Sequence, residues 1–128
     1  MKFFLTTGFL LAAVAVALGA FGAHGLKPKL SIEQLQTYET AVKYQFYHVF
    51  ALIVVGILMQ IFPNLKLAIA GDFFLTGIIL FCGSLYLLAC KDLLGLQSIS
   101  KFIGPITPLG GLCFIIGWVI LFVKVLRM

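Results

Sequence analysis

Charged residues are so sparse along the chain that four apolar windows stand out, at 3–26, 44–65, 73–90 and 102–123. Each falls near the ~17–25 residues that a membrane-spanning helix requires. They predict spans at about 3–24, 44–62, 67–90 and 105–125. Ahead of the second span, Ser31 and Gln34 have the spacing of a capping box. Apolar side chains then recur at Ile32, Leu35, Tyr38, Val42 and Phe46, with Glu33, Gln36, Thr40 and Lys43 elsewhere, which is a helical period. The pattern predicts an amphipathic lead-in helix over 31–43 that continues into the span. An uninterrupted helix over 31–62 would be ~48 Å long. The hydrocarbon layer is ~30 Å thick, so the first turns must project, bend or lie among headgroups. The expected fold is all-α: an integral membrane four-helix bundle forming one domain over 1–128, with that lead-in before the second span.

The punctuation agrees with these boundaries. Gly25 and Pro28 end the first span, Pro63 and Asn64 the second, and Lys91 and Asp92 lie in the third connection. Gly104, Pro105 and Pro108 open the fourth span, where a proline costs no helical hydrogen bond. Within the first span Gly8, Ala12, Ala15, Gly19 and Gly22 follow steps of four and three, so they share one face. Small faces let membrane helices approach closely where no hydrophobic effect drives them together. Gly83, Gly110, Gly111 and Gly117 are the corresponding packing candidates in the third and fourth spans.

Composition excludes a water-facing domain, because 62% of residues are hydrophobic and 10% are charged, against ~25% charged in soluble domains. The net charge of +5 is distributed singly at span ends rather than in a basic stripe, which fits membrane lipids as partners and not nucleic acid. Cys82, Cys90 and Cys113 lie inside apolar windows without a CxxC pair and read as buried hydrophobes. Lys2 and the apolar run after it imitate a secretory signal, but the run exceeds the ~7–15 residues of a signal core, so it is expected to stay as the first span.

Span parity puts both termini and the second connection on one side, the terminal side, and the first and third connections on the other, the far side. His24, Tyr44, Gln45, His48, Ser84, Tyr86 and Thr107 then all fall in the far leaflet. Polar groups at membrane depth mark function more often than in water. Two plainer readings stand beside that one: Tyr44 and Tyr47 as aromatic-belt residues, and His24 and His48 as structural hydrogen-bonding groups. A buried network joining Gln45, His48, Ser84 and Thr107 is one form the second could take. Two histidines on different spans, with no HExxH or paired ligand spacing, give no basis for a metal site. Ser84 has no His–Asp relay for nucleophilic catalysis. Asp72 reads as a solvated interface carboxylate.

Four stretches carry a resemblance over nearly the whole chain: 19–26 (GAFGAHGL), Tyr44 and Gln45 with His48, 81–86 (FCGSLY), and 107–111 (TPLGG) with Gly117 and Trp118. Together they resemble the domain of unknown function 423, a family of small membrane proteins with bacterial members and eukaryotic relatives. The resemblance implies a four-span protein of the inner membrane and no established activity, substrate or cofactor. Cys82 departs from the serine expected before Gly83.

Basic residues number four on the terminal side (Lys2, Lys66, Lys124, Arg127) and five on the far side (Lys27, Lys29, Lys43, Lys91, Lys101), which gives no topological bias. Lys2 ahead of a long apolar run favours cytoplasmic termini, with the polar residues facing outward. Three functions compete. The first is a non-enzymatic subunit or stabilising partner acting through helix contacts, as a homo-oligomer or with another membrane protein. The second is a small oligomeric transporter or channel. The third is a lipid- or quinone-type binder or membrane enzyme using the His24/His48 end. No catalytic residue and no cofactor is expected.

Overall fold

The computed structural model describes residues 1–128 as five helices without strands. Four are long and apolar enough to cross a membrane: α1 Lys2–Leu26, α2 Ile32–Ile61, α3 Ala68–Ala89 and α5 Ser100–Leu126. The short helix α4, Lys91–Leu94, lies in the third connection.

Each boundary has a local cause. Ser31 caps α2: its Oγ accepts from the Gln34 backbone N–H at 3.1 Å, and Gln34 Oε1 accepts from the Ser31 N–H at 3.0 Å. Both orphan donors at the helix start are thereby satisfied. The turn from α2 to α3 is a 3₁₀ segment, Pro63–Leu65, closed by Lys66 at φ 50°. α4 stops at Gly95, whose φ of 68° favours glycine. In α5, Gly104 and Pro105 interrupt the helix after Ile103, and it resumes at Ile106. Two π-turns sit inside the spans, Gly22–Leu26 at the far end of α1 and Ile78–Cys82 midway along α3.

α2 is a single 30-residue helix, about 45 Å long. About 20 residues fill the hydrocarbon layer. Counted back from the tight turn after Ile61, the first ten residues of α2 therefore stand at headgroup level. Ile32, an expected member of the apolar face, is 79% exposed there, while Tyr38, Ala41 and Gln45 are buried. The buried face is thus rotated away from Ile32 and includes a glutamine.

The packed pairs are α1 with α2, α2 with α3, and α3 with α5; α1 and α5 make no comparable packing. One apolar cluster, including Phe4, Leu52, Val55, Phe74, Phe114 and Leu121, runs through all four spans. A smaller one at the far end joins Leu26, Tyr38 and Ala89.

Glycines set the distances between these helices. A methyl group on Gly8 would meet Ile53 at 2.8 Å, and one on Gly22 would collide with the Tyr38 ring. Gly19 faces Val42, and Ala15 is fully buried, so the α1 stripe does lie against α2. Gly117 admits the Phe74 ring, at 2.7 Å from such a methyl. Gly110 is the tightest case, because there the added carbon would strike the backbone of Phe81 inside the π-turn of α3. Two expected packing glycines behave differently. Gly83 has nothing within 4 Å of its missing side chain, and Gly111 makes only ordinary contact, 3.6 Å, with the Phe81 ring. Both lie one residue or more around the helix from the seam between α3 and α5. Gly56, Gly71 and Gly77, not singled out by the sequence pattern, are filled against by Leu5, Phe4 and Phe114.

Gly110→Ala should therefore lower stability by about 1–3 kcal/mol, since backbone cannot yield as a side chain does. Gly83→Ala should lose nothing and can gain up to ~1 kcal/mol of helix propensity. Unfolding of the detergent-solubilised variants checks the contrast; equal losses at both positions would contradict the packing described.

Candidate functional site

The far-leaflet polar residues are distributed over three separate inter-helix contacts. The first is built on Gln45, which is 3% exposed. Its amide donates to the Leu11 carbonyl of α1 at 2.9 Å, and its Oε1 accepts from the Tyr86 hydroxyl of α3 at 2.7 Å. One side chain of α2 thus holds both neighbours. Seven residues earlier, the Tyr38 hydroxyl donates to the Leu18 carbonyl at 2.6 Å. Leu18 is also seven residues from Leu11, so the two bonds repeat one heptad apart on both antiparallel helices. That is the spacing of helices packed at a shallow angle. The Tyr38 and Tyr86 rings meet edge to face at 5.2 Å, which links the bonds laterally.

The second contact joins α3 and α5. The Ser84 hydroxyl donates to the Phe81 carbonyl at 2.9 Å, and Ser84 Oγ lies 2.6 Å from Thr107 Oγ1. A hydroxyl has one proton, so Thr107 is the donor in this pair.

The third contact joins α2 and α5 through aromatic rings. The Trp118 indole N–H donates to His48 Nε2 at 3.2 Å, and His48 Nδ1 lies 2.8 Å from the Tyr44 carbonyl. Indole N–H can only donate. Nε2 must therefore carry a lone pair and Nδ1 the proton, which defines the neutral tautomer. The imidazole stacks on Phe114 with centroids 3.5 Å apart and planes 8° from parallel. Phe74 and Phe81 close the cluster edge-on against Trp118 and Phe114. Beside it, a lateral groove of about 650 Å³ runs between Tyr44, His48, Phe81, Pro108, Ile115 and Trp118.

Of the network that could have joined Gln45, His48, Ser84 and Thr107, only the Ser84–Thr107 link is present; Gln45 and His48 bond partners outside that set. His24 stands apart from all of them. It is exposed and makes no side-chain hydrogen bond, because the π-turn buries Gly22 and Leu26 and directs the residue between them outward. Tyr44 contributes its ring, 4.8 Å from that of Phe81, and its backbone carbonyl rather than its hydroxyl. Tyr38 and Trp118 are the members that sequence reasoning missed as polar partners. Tyr38 was legible only as an apolar-face residue, and Trp118, the chain's one tryptophan, only as part of a motif.

No group of three or more His, Cys, Asp or Glu side chains gathers anywhere in the structure. Outside the spans, burial pushes the Cys90 thiol up from its ordinary value, which reduces its thiolate fraction and its nucleophilicity at neutral pH.

The family model described as "Protein of unknown function (DUF423)" matches residues 18–111. The UPF0382 membrane protein of Staphylococcus aureus (strain bovine RF122 / ET3-1) is 41% identical over 127 residues, covering 99% of this chain and 98% of the relative. The UPF0382 membrane protein YwdK of Bacillus subtilis (strain 168) is 40% identical over 128 residues, with the same coverage of 99% and 98%. The chain belongs to the DUF423 family. As the name of its relatives and its four apolar helices agree, this DUF423 chain is an integral membrane protein. No solved structure matches it. The matched segment contains Gln45, His48, Ser84, Tyr86 and Thr107, and stops before Trp118.

Because Trp118 is the sole tryptophan, its fluorescence reports the third contact directly. His48→Phe keeps an aromatic ring against Phe114 but removes the acceptor. The emission should move to shorter wavelength, with a stability loss of about 1 kcal/mol, the usual scale of an inter-helix hydrogen bond in a membrane. An unchanged spectrum would show that the indole N–H is not held by His48.

Proposed function

We propose that this chain is a non-enzymatic membrane protein that acts through its lipid-facing helices, as a packing subunit or stabilising partner of another membrane protein or of further copies of itself. The observation that carries this reading is that no buried side-chain nitrogen or oxygen lacks a hydrogen-bond partner within the chain. A translocation path or catalytic centre needs polar groups free to exchange a partner for substrate. Here Gln45, Ser84, Thr107, Tyr86 and His48 are each occupied in holding one helix to another. The remaining chemistry is apolar and outward, with Leu112, Ile115, Val119 and Phe122 exposed along α5. The chain is taken to lie in the cell's inner membrane with both termini cytoplasmic, from Lys2 ahead of the first span.

A second reading is favoured by the groove beside Tyr44 and Trp118. Its aromatic walls and lateral opening suit an apolar chain or ring of a membrane-soluble ligand.

A photo-crosslinking residue at Ile115 or Val119, introduced in living cells, should give a discrete protein adduct. Proteoliposomes of the purified chain should show no solute flux that depends on Gln45 or His48. Flux abolished by Gln45→Ala or His48→Ala would overturn the proposal in favour of a transporter. Adducts to lipid alone would overturn it in favour of the groove binder.

A further inference from the structure

The far end of the molecule holds a second cavity, on a different side from the Trp118 groove and unrelated to the helix-contact reading above. It measures about 560 Å³ and lies between the last turns of α1, the first turns of α2, the last turns of α3 and α4. Leu18, Phe21, Tyr38, Tyr86 and Leu94 are among its walls, and Lys29 is the one charged side chain lining it. The volume is within the range of small-molecule sites, ~300–1,000 Å³.

Its polar groups are unequally available. The Tyr38 and Tyr86 hydroxyls are committed to the Leu18 carbonyl and to Gln45. Asp92, on the neighbouring α4, does not line the cavity, and its two carboxylate oxygens accept from the Gln34 and Gln97 amides at 2.7 and 3.2 Å. The first of these bonds also ties the start of α2 to α4, two helices that each contribute walls to the cavity. What remains among the lining residues is apolar side chains, the weakly polar Cys90 thiol and the exposed Lys29.

Depth identifies the matching chemistry. Tyr38 lies four residues outside the hydrocarbon portion of α2, about 6 Å above it, so the cavity straddles the boundary between acyl chains and headgroups. An occupant must then be apolar below and anionic above. We infer that this cavity binds one anionic phospholipid of the far leaflet, with acyl chain along Leu18, Phe21 and Leu94 and phosphate on Lys29. A zwitterionic lipid offers the same chain but cancels the charge that Lys29 would meet, so selection rests on that residue.

Native mass spectrometry of the purified full chain tests this, with phosphatidylglycerol and phosphatidylcholine of identical chains supplied together. The wild type should retain one phosphatidylglycerol in preference to phosphatidylcholine, and inorganic phosphate should not displace it. Lys29→Gln should reduce that preference about fivefold, the scale of one lysine near an anionic headgroup. Lys27→Gln, a neighbouring charge that does not line the cavity, should leave most of it intact. Leu87→Trp, which fills the space from the α3 wall, should lose the bound lipid of either kind; Lys29→Gln, altered only at an exposed side chain, keeps the test valid if that variant misfolds. Equal retention of the two lipids by the wild type, equal effects of Lys27→Gln and Lys29→Gln, or displacement by phosphate would each overturn the assignment.

Discussion

Gln45 is the interaction on which the arrangement depends. In a bilayer the apolar surfaces of helices gain little by leaving lipid for one another, so association rests on close packing and on polar bonds between helices. Gln45 provides such bonds in two directions from one side chain, to a backbone carbonyl of α1 and to a tyrosine of α3. The carbonyl is reachable because the facing surface of α1 is Gly8, Ala12, Ala15, Gly19 and Gly22, which brings α2 against the α1 backbone. Small residues and the glutamine are thus one device: the stripe without the polar bond would leave the register loose, and the bond without the stripe would not reach.

The same logic recurs on the other side of the molecule with different residues. Gly110 and Gly117 bring α5 against α3, and Ser84 with Thr107 provides the polar bond. Between α2 and α5, which lack close backbone approach, stacked rings fill the gap and Trp118 bonds His48 across it. Each pairing therefore carries a packing component and a polar component. None leaves a buried polar atom over, so the buried polar groups of this leaflet are all engaged within the chain.

The spans, their order and the capping box at Ser31 were legible because charge, proline and helical period mark boundaries strongly in an apolar chain. The α1 stripe was legible because five small residues at steps of four and three leave one choice of face. The pairings were not. Hydrophobicity does not tell a lipid-facing side from a buried one, so nothing local distinguished Gly83, which packs against nothing, from Gly110, which meets the backbone of Phe81. Span parity brought His24 into the same leaflet as His48, but the π-turn that ends α1 buries Gly22 against Tyr38 and leaves His24 exposed. Ser84 and Thr107 are 23 positions apart and Gln45 and Tyr86 are 41 apart; which polar residue of a leaflet meets which is settled by helix rotation.

Gln45 and Tyr86 together fasten α2 to α3. A double-mutant cycle with Gln45→Leu and Tyr86→Phe, read by unfolding in lipid–detergent micelles, tests it most directly. The coupling free energy should be about 0.6–2 kcal/mol, the range of inter-helix hydrogen bonds in membranes, with Tyr86→Phe costing nothing further once Gln45 is gone. Additive losses, with no coupling between the two positions, would contradict it.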